Sequence, residues 1–171
     1  DAGLQQVHGL AVSDGLFIVA VHSLVYLGHM GCYVSSADLA RNVCTNPARV
    51  RKVMSILVAG GLVEARKGSA GGYRLNCDAH DLSLRDIAAA LGSSFARPAW
   101  KGDDFDMECL ISTHMRDVLD ELGGEMDRLL YGYLAGVSVK DIEDSILTKD
   151  WSDAKRTEND GIEDEESRVL Q

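Results

Sequence analysis

Apolar positions recur at helical spacing through most of this chain, and with a period of two in one short stretch. Leu16, Val19, Ala20, Leu24 and Leu27 form a first helical stripe, which predicts a helix over about 15–28 with Asp14 as its N-cap. Leu39 and Ala40 mark a short second helix, over about 37–43, with Ser36 as its cap; Leu39 stands where a capping box would need Glu. Val50, Val53, Met54 and Leu57 mark a third helix, over about 47–59. Asn46 suits its N-cap and Pro47 its first turn, where a missing N–H costs nothing. Gly60-Gly61 ends it.

The pattern then changes. Val63 and Ala65 alternate with Glu64 and Arg66, and Tyr73 and Leu75 alternate with Arg74 and Asn76, so 62–67 and 73–76 read as two strands of a hairpin turned by Gly68, Gly71 and Gly72. The loop 77–81 leads to a helix over 84–91, capped by Ser83, with Asp86 in its first turn and Gly92 after its end. Residues 93–109 look irregular, with Pro98, Gly102 and the acids Asp103, Asp104 and Asp106. Ile111, Met115, Val118, Leu119, Leu122, Met126, Leu129, Leu130 and Tyr133 predict a long helix over about 110–134, weakened near Gly123-Gly124 by roughly 1 kcal/mol per glycine. Ser138 caps a last short helix, over about 139–147. Residues 148–171 are polar and acidic around Trp151, the composition of a disordered tail, and residues 1–13 carry no clear signal.

The fold class is therefore mainly α with a small β-hairpin: a winged helix-turn-helix over 14–92, a loop over 93–109, a long helix and short helix over 110–147, and the tail. Charge sharpens this picture. The chain carries a net charge of −10, which looks wrong for a nucleic-acid binder. Between residues 35 and 76, however, the cations Arg41, Arg49, Arg51, Lys52, Arg66, Lys67 and Arg74 face only Asp38 and Glu64, and the acids crowd the part after Lys101. The third helix has Arg49, Lys52 and Ser55 off its apolar stripe, with Arg51 on the flank and no carboxylate. A solvated face usually mixes signs, so this one points to DNA. A narrow basic wing tip with Ser69 at its turn can approach phosphates or a minor groove. The glycines do not make a nucleotide loop, because GSAGGYR lacks the Gly-Lys-Ser/Thr ending and leads into a strand.

The stretch VSSADLARNVCTNPARVRKVMSILVAGGLVEARKGSAGGYRL resembles the DNA-binding half of the Rrf-type bacterial transcription regulators, the family of IscR, NsrR and CymR. The TNP turn with the RKVM helix most resembles its YwnA-like branch. The likeness continues through LSLRDIAAALG and more weakly to about Ile146. It implies a winged-helix homodimer, a repressor in the simplest case and with its dimerisation helix within 110–147, that binds double-stranded DNA at a pseudo-palindromic promoter site and answers a redox signal, a small molecule or a protein effector. Four scattered cysteines without a signal peptide make the cytoplasm the expected compartment. Two recognition helices about 34 Å apart would match such a site. The expected DNA contacts are Thr45, Asn46, Pro47, Arg49, Arg51, Lys52, Arg66, Lys67, Ser69 and Arg74. The alternative is a winged-helix module that binds another protein without DNA; an enzyme ranks third, because no nucleophile elbow, HExxH or dinucleotide fingerprint is present.

Some family members hold an iron–sulfur cluster through three cysteines in the loop before the long helix. Here that loop, 96–113, has only Cys109, so neither a cofactor nor a metal is expected. Cys109 falls where the long helix begins, which favours a thiolate, beside Glu108 and Asp106, which oppose it; it is the candidate redox sensor, against a structurally indifferent thiol. Cys44 reads as a small apolar residue of the turn. The longest apolar run, 16–27, is broken by His22 and Ser23 and is too short to span a bilayer.

Overall fold

The computed structural model describes residues 15–68, 71–96 and 110–149. The Asp14 cap, Ser69 at the wing tip, Cys109 and the acidic tail from Asp150 onward lie outside these residues.

Six helices and one hairpin are described. Helix α1 (Gly15–Met30) is followed by α2 (Ser36–Asn42) and α3 (Pro47–Ala59). Strands β1 (Val63–Arg66) and β2 (Gly72–Leu75) pair antiparallel, with Val63 opposite Leu75 and Glu64 opposite Arg74. Then come α4 (Leu84–Leu91), α5 (Leu110–Leu134) and a last helix, α6, over residues 139–149.

The side chains that the helical period places inward form one core. Leu24 and Leu27 of α1, Leu39 of α2, Val50, Val53, Met54 and Leu57 of α3, Ile87 of α4 and Val139 of α6 are all fully buried. Each such Leu or Ile contributes about 1.5–3 kcal/mol through burial. Leu16, expected in the first stripe, is only partly buried, while Val25 and Ser23 are buried. α1 is apolar on most of its circumference, so the core reaches round to these positions.

The caps are specific. Ser35, not Ser36, caps α2: its hydroxyl accepts from the Asp38 N–H at 3.1 Å and donates to the Asp38 carboxylate at 2.6 Å. Asp three residues after Ser35 makes the favourable pair that a cap at Ser36 lacks. Ser83 and Asp86 form a full capping box on α4, and Ser138 with Asp141 repeats the same bonds at α6. Gly61, rather than Gly60, takes the left-handed conformation after α3, at φ +75°.

Two attachments tie the outlying parts to this core. Val34, in the link between α1 and α2, exchanges two backbone hydrogen bonds of 2.9 Å with Tyr73, so a single bridge ties the wing to the helical body. Asp127 of α5 holds the stretch after α4: its carboxylate accepts from the Ser94 hydroxyl at 2.6 Å and from the N–H groups of Phe95 and Ala96 at 2.8 and 3.0 Å. Phe95 stacks edge-on against Phe17 of α1 at 5.1 Å, and the Tyr131 hydroxyl donates to the Ser93 carbonyl at 2.7 Å.

α5 has two unlike faces. Leu119, Gly123, Asp127 and Tyr131 turn inward and are wholly or partly buried. On the other face Val118, Leu122, Leu129 and Tyr133 are 57%, 55%, 60% and 72% exposed, with Ile111 and Met126 beside them. A stripe this long is more often core, yet none of the described residues covers it.

Candidate nucleic-acid interface

α3 presents the predicted polar face to solvent. Arg49, Arg51, Lys52 and Ser55 are exposed, with Lys52 and Ser55 opposite the buried Val50, Val53, Met54 and Leu57 and Arg49 and Arg51 on the flanks. Among the described residues no carboxylate lies within ion-pair distance of Arg49, Arg51 or Lys52. Three neighbouring cations with no internal counter-charge leave their field to an external anion. The start of α3 adds to it, because free N–H groups at a helix N-terminus favour negative charge.

The turn before α3 fixes its approach. Thr45 N–H donates to the Ala40 carbonyl at 2.9 Å, and Cys44 sits in the left-handed region at φ +55°. Cys44 is exposed rather than packed as a small apolar residue, because the tight reversal turns its side chain outward, with Sγ 3.8 Å from the Arg41 carbonyl. Asn46 caps α3, its Oδ1 accepting from the Arg49 N–H at 2.8 Å. Asn46→Ala should therefore cost about 1 kcal/mol of stability, read from the denaturant midpoint at unchanged slope.

The wing continues the basic surface. Arg66 and Lys67 are exposed at its end, and Gly68 allows the turn at φ +108°. Arg74 is exposed too, but its Nε donates to the Glu64 carboxylate at 2.7 Å. Tyr33, from the link before α2, donates its hydroxyl to the same oxygen at 2.9 Å. The Tyr33 hydroxyl and then Arg74 hold the Glu64 carboxyl below its ordinary value of 4.5. The same bond to Glu64 pushes the Tyr33 phenol up. Sequence reasoning passed over this pair: Tyr33 lay in a link with no helical or strand period. The one clue was Glu64 itself, a carboxylate in an otherwise basic hairpin.

The described cysteines do not fit an iron–sulfur cluster. Cys32, Cys44 and Cys77 are free and stand on separate loops, whereas clusters are commonly held by four thiolates. No three His, Cys, Asp or Glu side chains among the described residues converge on one point. Burial, then Asp81 and Asp78, push the Cys77 thiol up. Cys77 lines an open cleft of about 450 Å³ between the end of α1, the 76–81 loop and α6. Within that cleft Lys140 is paired with Glu143 and Asp144, and Glu143 also with His29 at 2.8 Å. No helix among the described residues is long and apolar enough to cross a membrane.

Comparison with known proteins gives the same picture. The profile of the Rrf2 family, described as an iron-dependent transcriptional regulator, matches residues 16–145. The HTH-type transcriptional regulator IscR of Vibrio campbellii is 29% identical over 125 residues, 71% of this chain and 74% of that protein. YwnA, a candidate HTH-type transcriptional regulator of Bacillus subtilis, is 29% identical over 124 residues, 72% of this chain and 91% of its own length. A crystal structure of a candidate transcriptional regulator from Lactobacillus plantarum superposes with a TM-score of 0.65 at 25% identity, covering 81% of this chain and 97% of that one. With its helix-turn-helix, its wing and a profile match running from α1 into α6, this chain belongs to the Rrf2 family, whose members are transcriptional regulators and not enzymes.

Proposed function

We propose that this chain binds double-stranded DNA as a homodimer at a pseudo-palindromic promoter site and acts there as a repressor. The observation that carries the reading is the outer face of α3, where Arg49, Arg51 and Lys52 stand exposed, with no ion-pair partner among the described residues, in a chain of net charge −10. Thr45, Asn46 and Pro47 set the start of that helix in the major groove. Arg66 and Lys67 reach phosphates or the minor groove from the wing, with Ser69 at its tip. The exposed apolar face of α5 supports the dimer, since a contiguous solvent-facing apolar stripe of this length marks an interaction surface. Repression follows from the least machinery: a dimer seated on a promoter excludes polymerase without contacting it. The site of action is the cytoplasm, and the signal is a small molecule, a protein effector or oxidation of Cys109. No resident cofactor enters the reading, because the loop 96–113 holds one cysteine.

Fluorescence-anisotropy titration on DNA from upstream of the chain's own gene, at two salt concentrations, tests it. Tight, steeply salt-dependent binding is the expected result. Arg49→Ala and Lys52→Ala should each weaken operator binding about tenfold, as loss of a base or phosphate contact does. If both leave affinity untouched, α3 is not the reading helix. Weak binding without salt dependence would favour a module that docks another protein.

A further inference from the structure

Arg74 belongs to the basic surface by position but not by availability. Its Nε donates to Glu64 at 2.7 Å, and a terminal nitrogen of the same guanidinium pairs with the same oxygen. Glu64 and Arg74 face each other directly across the hairpin. The Tyr33 hydroxyl completes the shell of that carboxylate at 2.9 Å. The Tyr33 ring also lies against both wing arginines, 5.1 Å from the Arg74 guanidinium carbon and 5.7 Å from that of Arg66. Tyr33 itself is fixed, because the next residue, Val34, closes the two-bond bridge to Tyr73. Glu64 thus has two partners from two elements, while Arg66 and Lys67 have no carboxylate within ion-pair distance among the described residues.

We propose that Tyr33 and Glu64 are positioning residues that withhold Arg74 from DNA phosphates and leave Arg66 and Lys67 as the wing's phosphate contacts. The inference rests on the DNA-binding reading above and refines it. A carboxylate in a DNA-facing hairpin repels the phosphate backbone unless its charge is spent within the protein. Here it is spent on Arg74. A guanidinium already neutralised by a carboxylate displaces no counterion when DNA arrives, so it adds nothing to the salt dependence of binding. To reach a phosphate it would exchange one charge-assisted anion contact for another and leave Glu64 and Tyr33 without their cation. Tyr33 holds the pair from the helical body, so the clamp also sets the angle at which the wing leaves that body.

The test is a cycle of salt slopes for the full chain on the operator duplex: wild type, Arg74→Ala, Glu64→Gln and the double variant, with Arg66→Ala as reference. Each phosphate contact contributes about 0.9 to the slope of log affinity against log salt. Arg66→Ala should lower the slope by about 0.9; Arg74→Ala alone unmasks the Glu64 carboxylate and should lower it too, whereas the double variant, which removes both charges of the pair, should keep the wild-type slope. Glu64→Gln frees Arg74 and should steepen the slope by about 0.9; adding Arg74→Ala should return it to the wild-type value. The inference is overturned if the double variant lowers the slope as Arg66→Ala does. It is equally overturned if Glu64→Gln and the double variant share one slope, since the carboxylate then acts only by repelling DNA. Should Arg74→Ala unfold the wing, Arg74→Gln, which keeps a donor to Glu64, takes its place in the cycle. A wild-type chain that binds no DNA would instead overturn the reading beneath the inference, so the two failures are distinct.

Discussion

Leu122→Asp combined with Leu129→Asp is expected to leave a monomer and to weaken operator binding by roughly 10²–10⁴-fold, the range lost when two linked contacts become one. Both side chains lie on the outer face of α5, more than half exposed within a single chain. They stand seven residues apart, so they point the same way, between Val118 and Tyr133 at the neighbouring turns. In the proposed dimer this face meets its own copy across a two-fold axis, and every substitution enters the seam twice. Two carboxylates in that seam must either lose their hydration unpaired or hold the chains apart. The monomer itself should remain folded, since neither side chain belongs to the core. Sedimentation equilibrium reads the association, far-UV circular dichroism confirms the fold, and anisotropy reads the affinity. A variant that stays dimeric with unchanged affinity would place the dimer contact elsewhere.

Gly72→Ala is expected to cost about 3–5 kcal/mol, from strain of about 1–3 kcal/mol and two hydrogen bonds of about 1 kcal/mol each. Gly72 has φ +146°, and a Cβ there would lie 2.3 Å from the Val34 carbonyl oxygen and 2.6 Å from its carbon. Those atoms belong to the bridge that ties the wing to the link before α2. The alanine can be seated only by opening that bridge, which also moves Tyr33 and the Glu64–Arg74 pair. Gly31→Ala is the control: φ is +60° there, but nothing stands within 4 Å of the added carbon. It should cost only about 1–2 kcal/mol of left-handed strain. Equal denaturant midpoints for the two variants would show that the close approach to Val34 is not what selects glycine at position 72.

The helix-turn-helix and the wing were legible in the sequence because local chemistry marks them. Asn46-Pro47 starts a helix, Gly60-Gly61 ends one, and two alternating runs about a glycine cluster make a hairpin. The family likeness, read on motifs as far as about Ile146, agrees with the profile match over residues 16–145. What escaped was non-local. Tyr33 meets Glu64 across 31 residues, and Asp127 meets Ala96 across 31, contacts that no periodicity encodes. The cap of α2 slipped by one residue because two serines stand side by side and only one finds Asp38 at the right turn. Period alone showed that α5 carries an apolar stripe but not whether the chain covers it itself. That depends on where α4 packs, and α4 takes the opposite side.

The anchoring of residues 94–96 on Asp127 has a topological consequence. The segment 97–109 leaves from a point fixed to α5 and returns where α5 begins, at Leu110. Both of its ends are therefore held by the same helix, whatever lies between them. α5 thus serves as both the departure point and the landing point of that connection, a closed circuit on a single helix.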